Sequence, residues 1–229
     1  MRSSPTGGWR GAPRALPPPV PRPGAVARLP RYLRALDDLA RQDVATTSSD
    51  RLAEVAGVGP ALLRRDLSHL GSHGVRGVGY RVEHLRAEVA AALGVGADLP
   101  VVVVGIGNLG HALANYMAGG RLGFRVAALV DADPAVVGTE GAGLPVEHVR
   151  DLTAVVVRER VALAVLATPP AVAQEVCDRL TGAGVRGILT FAPRELRVPD
   201  GVDVRSVDLA TELQILAFHE EQRRASPAR

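Results

Sequence analysis

Three glycines, at positions 105, 107 and 110, stand between an unbroken run of valines and a helix-forming stretch in VVVVGIGNLGHAL. A strand that passes into a helix through G-x-G-x-x-G constrains the chain more than any other feature. Gly105 permits the tight turn, Gly107 lets a pyrophosphate approach the main chain, and Gly110 lets helix and strand pack closely. The unpaired N–H groups of the first helical residues, beginning at Asn108 and Leu109, then face the phosphate charge. With 25 glycines in the chain the pattern could arise by chance. The strand before it and the helix after it carry the reading.

A second element supports it. RVAALVD ends in Asp131, 21 residues beyond Gly110. A carboxylate there accepts hydrogen bonds from the ribose hydroxyls of an adenosine and repels the extra phosphate of NADP(H), so NAD(H) is the expected cofactor. Asp131 also opens the turn DADP, where an aspartate caps its own backbone. The two roles are compatible. In ATPP, residues 167–170, Thr168 and Pro169 follow a later strand and are expected to line the same site.

From residue 101 the chain alternates. VVVVG, RVAALVD, VALAVLAT and GVRGILTF read as strands buried on both faces. Helices around GHALANYM, DLTAVVVRER and AVAQEVCDRLTG separate them, the pattern of a parallel α/β sheet. Cys177 falls on the core face of the last of these helices and reads as a buried thiol. After Asp208 a terminal helix carries Leu209, Leu213, Leu216 and Ala217 on one face.

The N-terminal part differs in charge. Residues 1–99 hold fourteen arginines against nine acids, and residues 100–229 thirteen against fifteen. The basic excess makes an anionic partner more plausible there. Leu29, Leu33, Leu36 and Leu39 form an amphipathic stripe. TTSSDRLAEVAG offers Ser48 or Ser49 as an N-cap and Gly57 as a stop. VGPALLRRDLSHLG begins with Pro60 and is expected to bury Leu62, Leu63, Leu67 and Leu70. Two short helices joined through Gly57-Val58-Gly59 make a helix-turn-helix. SHGVRGVGYRV, with Val75, Val78 and Tyr80, then suits a small hairpin in the place of a wing.

The expected fold class is therefore α/β. Residues 1–27 are a disordered Pro/Arg-rich tail, 28–96 a winged-helix DNA-binding domain, 97–207 a Rossmann-type parallel-sheet domain, 208–222 a C-terminal helix and 223–229 a disordered tail. No apolar run is long enough to span a bilayer, the N-terminus lacks the apolar core of a secretory signal, and the single cysteine suits a reducing cytoplasm. Six scattered histidines show no metal-ligand spacing, so no metal is expected.

RLPRYLRAL, SSDRLAEVAGVGPALLRRDLSHLG, GVRGVGY, VGIGNLGHALANY, AALVDADP, AQEVCDRL, ILTFAP and VDLATELQILAFH together closely resemble the Rex family of redox-sensing transcriptional repressors, from about residue 26 to 220. The resemblance implies a homodimer that binds a palindromic operator when NAD is abundant and releases it when NADH binds. It also implies a C-terminal helix, Asp208–His219, exchanged between subunits. The recognition helix would be Pro60–Leu70, with Ser49, Arg64, Arg65, Ser68, Arg76, Gly77 and Tyr80 at the DNA. An arginine there serves either phosphates or base edges. Arg34, Tyr116 and Asp208 match positions that link domains and subunits. The chain departs from the family at Thr190 in place of Asn, in lacking a Phe soon after Tyr116, and at His69 and His73. The alternative is an NAD-dependent oxidoreductase with an accessory helix-turn-helix. Against it, the chain has no lysine for acid–base work and its Rossmann part leaves no second domain for a substrate.

Overall fold

A computed structural model describes residues 23–71, 74–75, 78–95, 98–119 and 123–225. The chain forms two compact units that divide between Gly94 and Val95.

The first unit begins earlier than its composition indicates. Pro23–Val26 form a helical turn, α1, whose Ala25 is buried. The expected tail therefore gives way to structure before residue 27, while residues 1–22 lie outside the described ones. α2 (Leu29–Arg41) buries Leu29, Tyr32, Ala35, Leu36 and Leu39, with Leu33 half-buried. A two-residue strand, β1 (Thr46–Thr47), precedes α3 (Ser49–Ala56). Ser48 is the N-cap of α3, its hydroxyl accepting the Arg51 N–H at 3.1 Å, and Gly57 closes the helix with φ of 66°. α4 (Pro60–His69) starts on its proline and buries Leu63, Asp66 and Leu67. Leu62 and Leu70, expected in the core, are only half-buried; the aspartate takes the inward place between leucines. β2 (Tyr80–Arg81) pairs antiparallel with β1, Thr47 opposite Tyr80, and leads into α5 (Val82–Ala92). Four helices thus enclose one apolar core.

The second unit is a seven-stranded sheet. In chain order it consists of β3 (Leu99–Val104), α6 (Asn108–Ala118), β4 (Phe124–Asp131), β5 (Glu140–Gly141), β6 (Leu144–His148), α7 (Leu152–Arg158), β7 (Leu163–Leu166), α8 (Pro170–Gly182), β8 (Gly187–Thr190), β9 (Asp203–Ser206) and α9 (Leu209–Ala225). The strand order is β5-β6-β4-β3-β7-β8-β9, every neighbouring pair parallel except β5 with β6. Alternation along β3 explains its valines: Val102 and Val104 enter the core beneath α7 and α8, while Val101 and Val103 enter the core on the α6 side. Cys177 is fully buried in the first of these, and burial, with Asp178 nearby, pushes its thiol pKa up. α9 runs to Ala225, past the expected start of a C-terminal tail at 223, and residues 226–229 lie outside the described ones.

Candidate functional site

The sheet order reverses between β3 and β7. Chain leaving their C-terminal ends departs in opposite directions, and a crevice opens there, the usual ligand site of open α/β sheets. The glycine loop sits on its rim. Gly105 has φ of 91°, and a Cβ on it would stand 2.7 Å from the Ala167 carbonyl oxygen. A Cβ on Gly110 would stand 1.8 Å from the Gly105 oxygen. Gly107 differs: it caps α6 with an ordinary φ of −73°, and a Cβ there would meet nothing within 4 Å. Two glycines are thus required by the protein's own packing. The third opens onto free space, as a ligand approaching the backbone requires.

That space is part of a cavity of about 700 Å³. Of the eight residues expected at a cofactor, Gly105, Gly107, Leu109, Asp131, Thr168 and Pro169 line it. Gly110 is buried in the turn and Asn108 is exposed at the first position of α6. Both oxygens of Asp131 are engaged: Oδ2 accepts the Ile106 N–H at 2.5 Å and Oδ1 accepts the Asp133 N–H at 2.8 Å. The turn-capping role is therefore real, and it also ties β4 to the glycine loop while the side chain borders the cavity. Thr168 contributes the sharpest signal. Its Oγ1 is buried without a hydrogen-bond partner among the described residues, a state that costs about 1–3 kcal/mol unless something supplies the bond.

Sequence reasoning missed the opposite wall. Val149, Val172, Val176 and Phe191 give it apolar surface, with Glu175 and Arg179 beside them. Arg179 donates from Nη2 to the carbonyls of Val149 at 2.7 Å and Arg150 at 2.9 Å, pinning the segment that follows β6. These residues come from three separated segments whose only sequence signal is helical spacing in α8.

In the first unit, Arg64, Arg65 and Ser68 are exposed on α4, opposite its buried stripe. Arg64 Nη1 donates to the Ser49 hydroxyl at 3.0 Å and lies 3.5 Å from Asp50, which brings two expected contact residues together. The Ser68 hydroxyl donates to the Arg65 carbonyl. In the segment expected to form a wing, Val75 and Gly79 form an antiparallel bridge among the described residues, and Tyr80 pairs with β1. Gly79 has φ of 87°, and a Cβ on it would meet the Thr47 carbonyl oxygen at 2.2 Å. Arg76 and Gly77 lie outside the described residues. Val75 and Val78, on either side of them, are exposed.

Comparison with known proteins joins these two halves. Residues 97–194 match the model of a family described as "CoA binding domain", and residues 20–68 match one described as "Putative DNA-binding protein N-terminus". A redox-sensing transcriptional repressor Rex from Streptomyces avermitilis is 57% identical over 203 residues, covering 89% of this chain and 81% of that protein. The chain belongs to the Rex family. Among solved Rex-family structures, RSP bound to beta-NAD+ and operator DNA superposes with a TM-score of 0.83 at 33% identity, covering 88% of this chain and 93% of that one. RSP bound to beta-NADH gives 0.79 at 31%, covering 89% and 96%.

Two of the positions expected to depart from the Rex pattern have local bonding partners. Thr190 is fully buried at the end of β8, where its hydroxyl accepts the Ala192 N–H at 3.2 Å. His69 Nδ1 lies 2.6 Å from the Arg65 carbonyl oxygen on its own helix, and His73 is outside the described residues. Of the expected linking residues, Arg34 is exposed on α2 and Tyr116 is 70% exposed on α6. Asp208 caps α9, accepting the N–H groups of Ala210 and Thr211 and the Thr211 hydroxyl. Those Thr211 bonds hold its carboxyl below the usual aspartate range.

Proposed function

We propose that this protein is a transcriptional repressor that binds operator DNA as a homodimer and releases it when NADH occupies the crevice between β3 and β7. One observation carries the reading: a cavity bordered by the glycine loop, Asp131 and an unpartnered Thr168 hydroxyl, in a chain whose other unit exposes Arg64, Arg65 and Ser68 on a helix-turn-helix. The first unit is the DNA-binding domain and the second the cofactor domain. RSP, a relative, has been captured with beta-NAD+ and operator DNA together, and separately with beta-NADH.

The residues suit NAD(H). Gly107 and the first N–H groups of α6 would cradle the pyrophosphate, and Thr168 would gain the hydrogen bond it lacks. Asp131 would take the adenosine ribose. Its charge disfavours a phosphate on either ribose hydroxyl, and so disfavours both NADP(H) and coenzyme A despite the name of the matching domain model. The cofactor's chemistry is its change of redox state, which here is a signal. Among the described residues three charged side chains border the cavity: Arg179 is committed to two carbonyls and Asp131 to two amides, and Glu175 stands beside them. In this reading the protein is a regulator acting in the cytoplasm rather than an oxidoreductase, a reading that rests on its membership of a repressor family. Among the described residues no helix is long and apolar enough to cross a membrane.

Two further assignments belong to this reading. α9 buries no residue within its own chain, and the family resemblance makes a second subunit its partner. The family resemblance assigns Arg34, Tyr116 and Asp208 to the linkage through which cofactor state reaches the DNA-binding domain. The deciding experiment is fluorescence anisotropy of a duplex selected by the protein from a random pool, titrated with NADH and with NAD. NADH is expected to displace the duplex at concentrations where NAD does not. Equal displacement by both, or by neither, contradicts redox sensing, and sustained NADH turnover with a panel of small carbonyl compounds would revive the enzyme.

A further inference from the structure

Asp66 is 3% exposed although both neighbours on the solvent side, Arg64 and Arg65, are exposed. Three donors converge on its carboxylate. Arg28 Nε donates to Oδ2 at 2.6 Å, Arg28 Nη2 donates to Oδ1 at 2.8 Å, and the Tyr32 hydroxyl donates to Oδ2 at 2.7 Å. Tyr32 itself is fully buried in α2. Arg28 is held in turn by α1, its N–H donating to the Ala25 carbonyl at 2.9 Å. Burial alone would push the Asp66 pKa up, but the bonds from Arg28 and Tyr32 outweigh it and hold the carboxyl below the usual aspartate range.

We propose that Arg28, Tyr32 and Asp66 form a pin that fixes the rotation of α4 about its own axis and thereby aims Arg64, Arg65 and Ser68 at the operator. The inference rests on the reading of α4 as the DNA-contacting helix. These are positioning residues: none of the three needs to touch DNA. A leucine at position 66 would extend the stripe of Leu63 and Leu67, but apolar burial has no direction and tolerates a helix that rolls. A carboxylate gripped by a planar fork and a phenol has one orientation. The required accuracy is high. At about 6 Å from the axis, a roll of about 20° displaces a side-chain group by about 2 Å, enough to take a hydrogen bond out of range. Asp66 is buried and Arg28 partly exposed; such a pair contributes little net stability over apolar replacements of similar volume, which leaves the fixing of one arrangement as its proposed role.

The test separates aim from stability. Arg28→Met/Asp66→Leu exchanges the pair for apolar side chains, and Tyr32→Phe removes one donor while keeping the fold. Kd is measured by anisotropy for the selected duplex and for a scrambled duplex of equal length, alongside NADH affinity. The double variant is expected to lose about tenfold in the ratio of selected to scrambled affinity, and Tyr32→Phe about threefold, with scrambled-duplex and NADH affinities within about twofold of wild type. An unchanged ratio in a folded double variant overturns the pin. If the double variant does not fold, an unchanged ratio in Tyr32→Phe overturns it instead. A parallel fall on both duplexes also overturns it, because that is what a merely structural role produces. Arg64→Ala/Arg65→Ala is run beside them: if it leaves selected-duplex affinity intact, the reading of α4 fails, whereas loss there with unchanged pin variants removes the pin alone.

Discussion

At the scale of single residues, the glycine loop separates groups the fold requires from groups the ligand requires. Gly110→Ala forces a methyl onto the Gly105 carbonyl oxygen and is expected to destabilise the second unit by about 3 kcal/mol. Gly107→Ala places its methyl in open space, so thermal unfolding should match wild type while NADH affinity falls at least about tenfold. Equal affinity in Gly107→Ala would show that the loop does not approach a phosphate. Thr168 makes the complementary case. Thr190 is fully buried and its hydroxyl accepts an amide, whereas Thr168 is half-buried as a residue with its Oγ1 buried and unpartnered among the described residues. Thr168→Val should therefore raise the stability of the cofactor-free protein by about 1 kcal/mol, read as an upward Tm shift, and weaken NADH binding. A lowered Tm would mean that the hydroxyl already has a partner.

At the scale of elements, the joint between α2 and α4 gives unit one its dependence on pH. Burial first, and the bond to Asp66 second, raise the Tyr32 phenol to about 12, above its unfolded value of about 10. Its contribution is complete below about pH 10 and is lost as pH rises through about 12. Asp66 is depressed, so its contribution is complete above its unfolded pKa of about 3.9 and is lost as pH falls through the lower folded value. Circular dichroism of wild type should show unit one loosening at both extremes, and Tyr32→Phe should shrink the alkaline limb to the part left by Tyr80, whose phenol burial also raises; an unchanged alkaline limb would assign it to another group. The same joint shows where reading the sequence runs out. Periodicity located α2, α4 and the alternating strands because each buries a run of like residues, and glycine spacing between strand and helix located the loop. It could not find Asp66, since a charged residue inside an apolar stripe reads as solvent-facing until its partners, 34 and 38 positions away, are known. β1 and β5, two residues each, and β9, with three of its four residues exposed, escaped because they bury too little to leave a pattern. Asp131 was legible as a cap, the role its bond to the Asp133 N–H shows, and as a candidate ligand, because both roles need a carboxylate at a strand end.

At the scale of the whole molecule, the proposed function is a linkage between two binding events. Whatever factor NADH removes from operator affinity, operator must remove from NADH affinity. Titrating NADH fluorescence with and without the selected duplex should return the same factor as the anisotropy experiment. Arg34→Ala is expected to shrink both factors together while leaving NADH affinity in the absence of DNA unchanged; an undiminished factor would remove Arg34 from the linkage. α9 adds a consequence of another kind. Leu209, Leu213, Ile215, Leu216 and Phe218 are each between 48% and 66% exposed within one chain. If a second copy covers them, the active species forms by a second-order step. Near the dissociation constant for pairing, halving the rate of synthesis would remove more than half of the repressor. Cells carrying this protein at low dosage would then derepress abruptly, with no change in the NADH/NAD ratio at all.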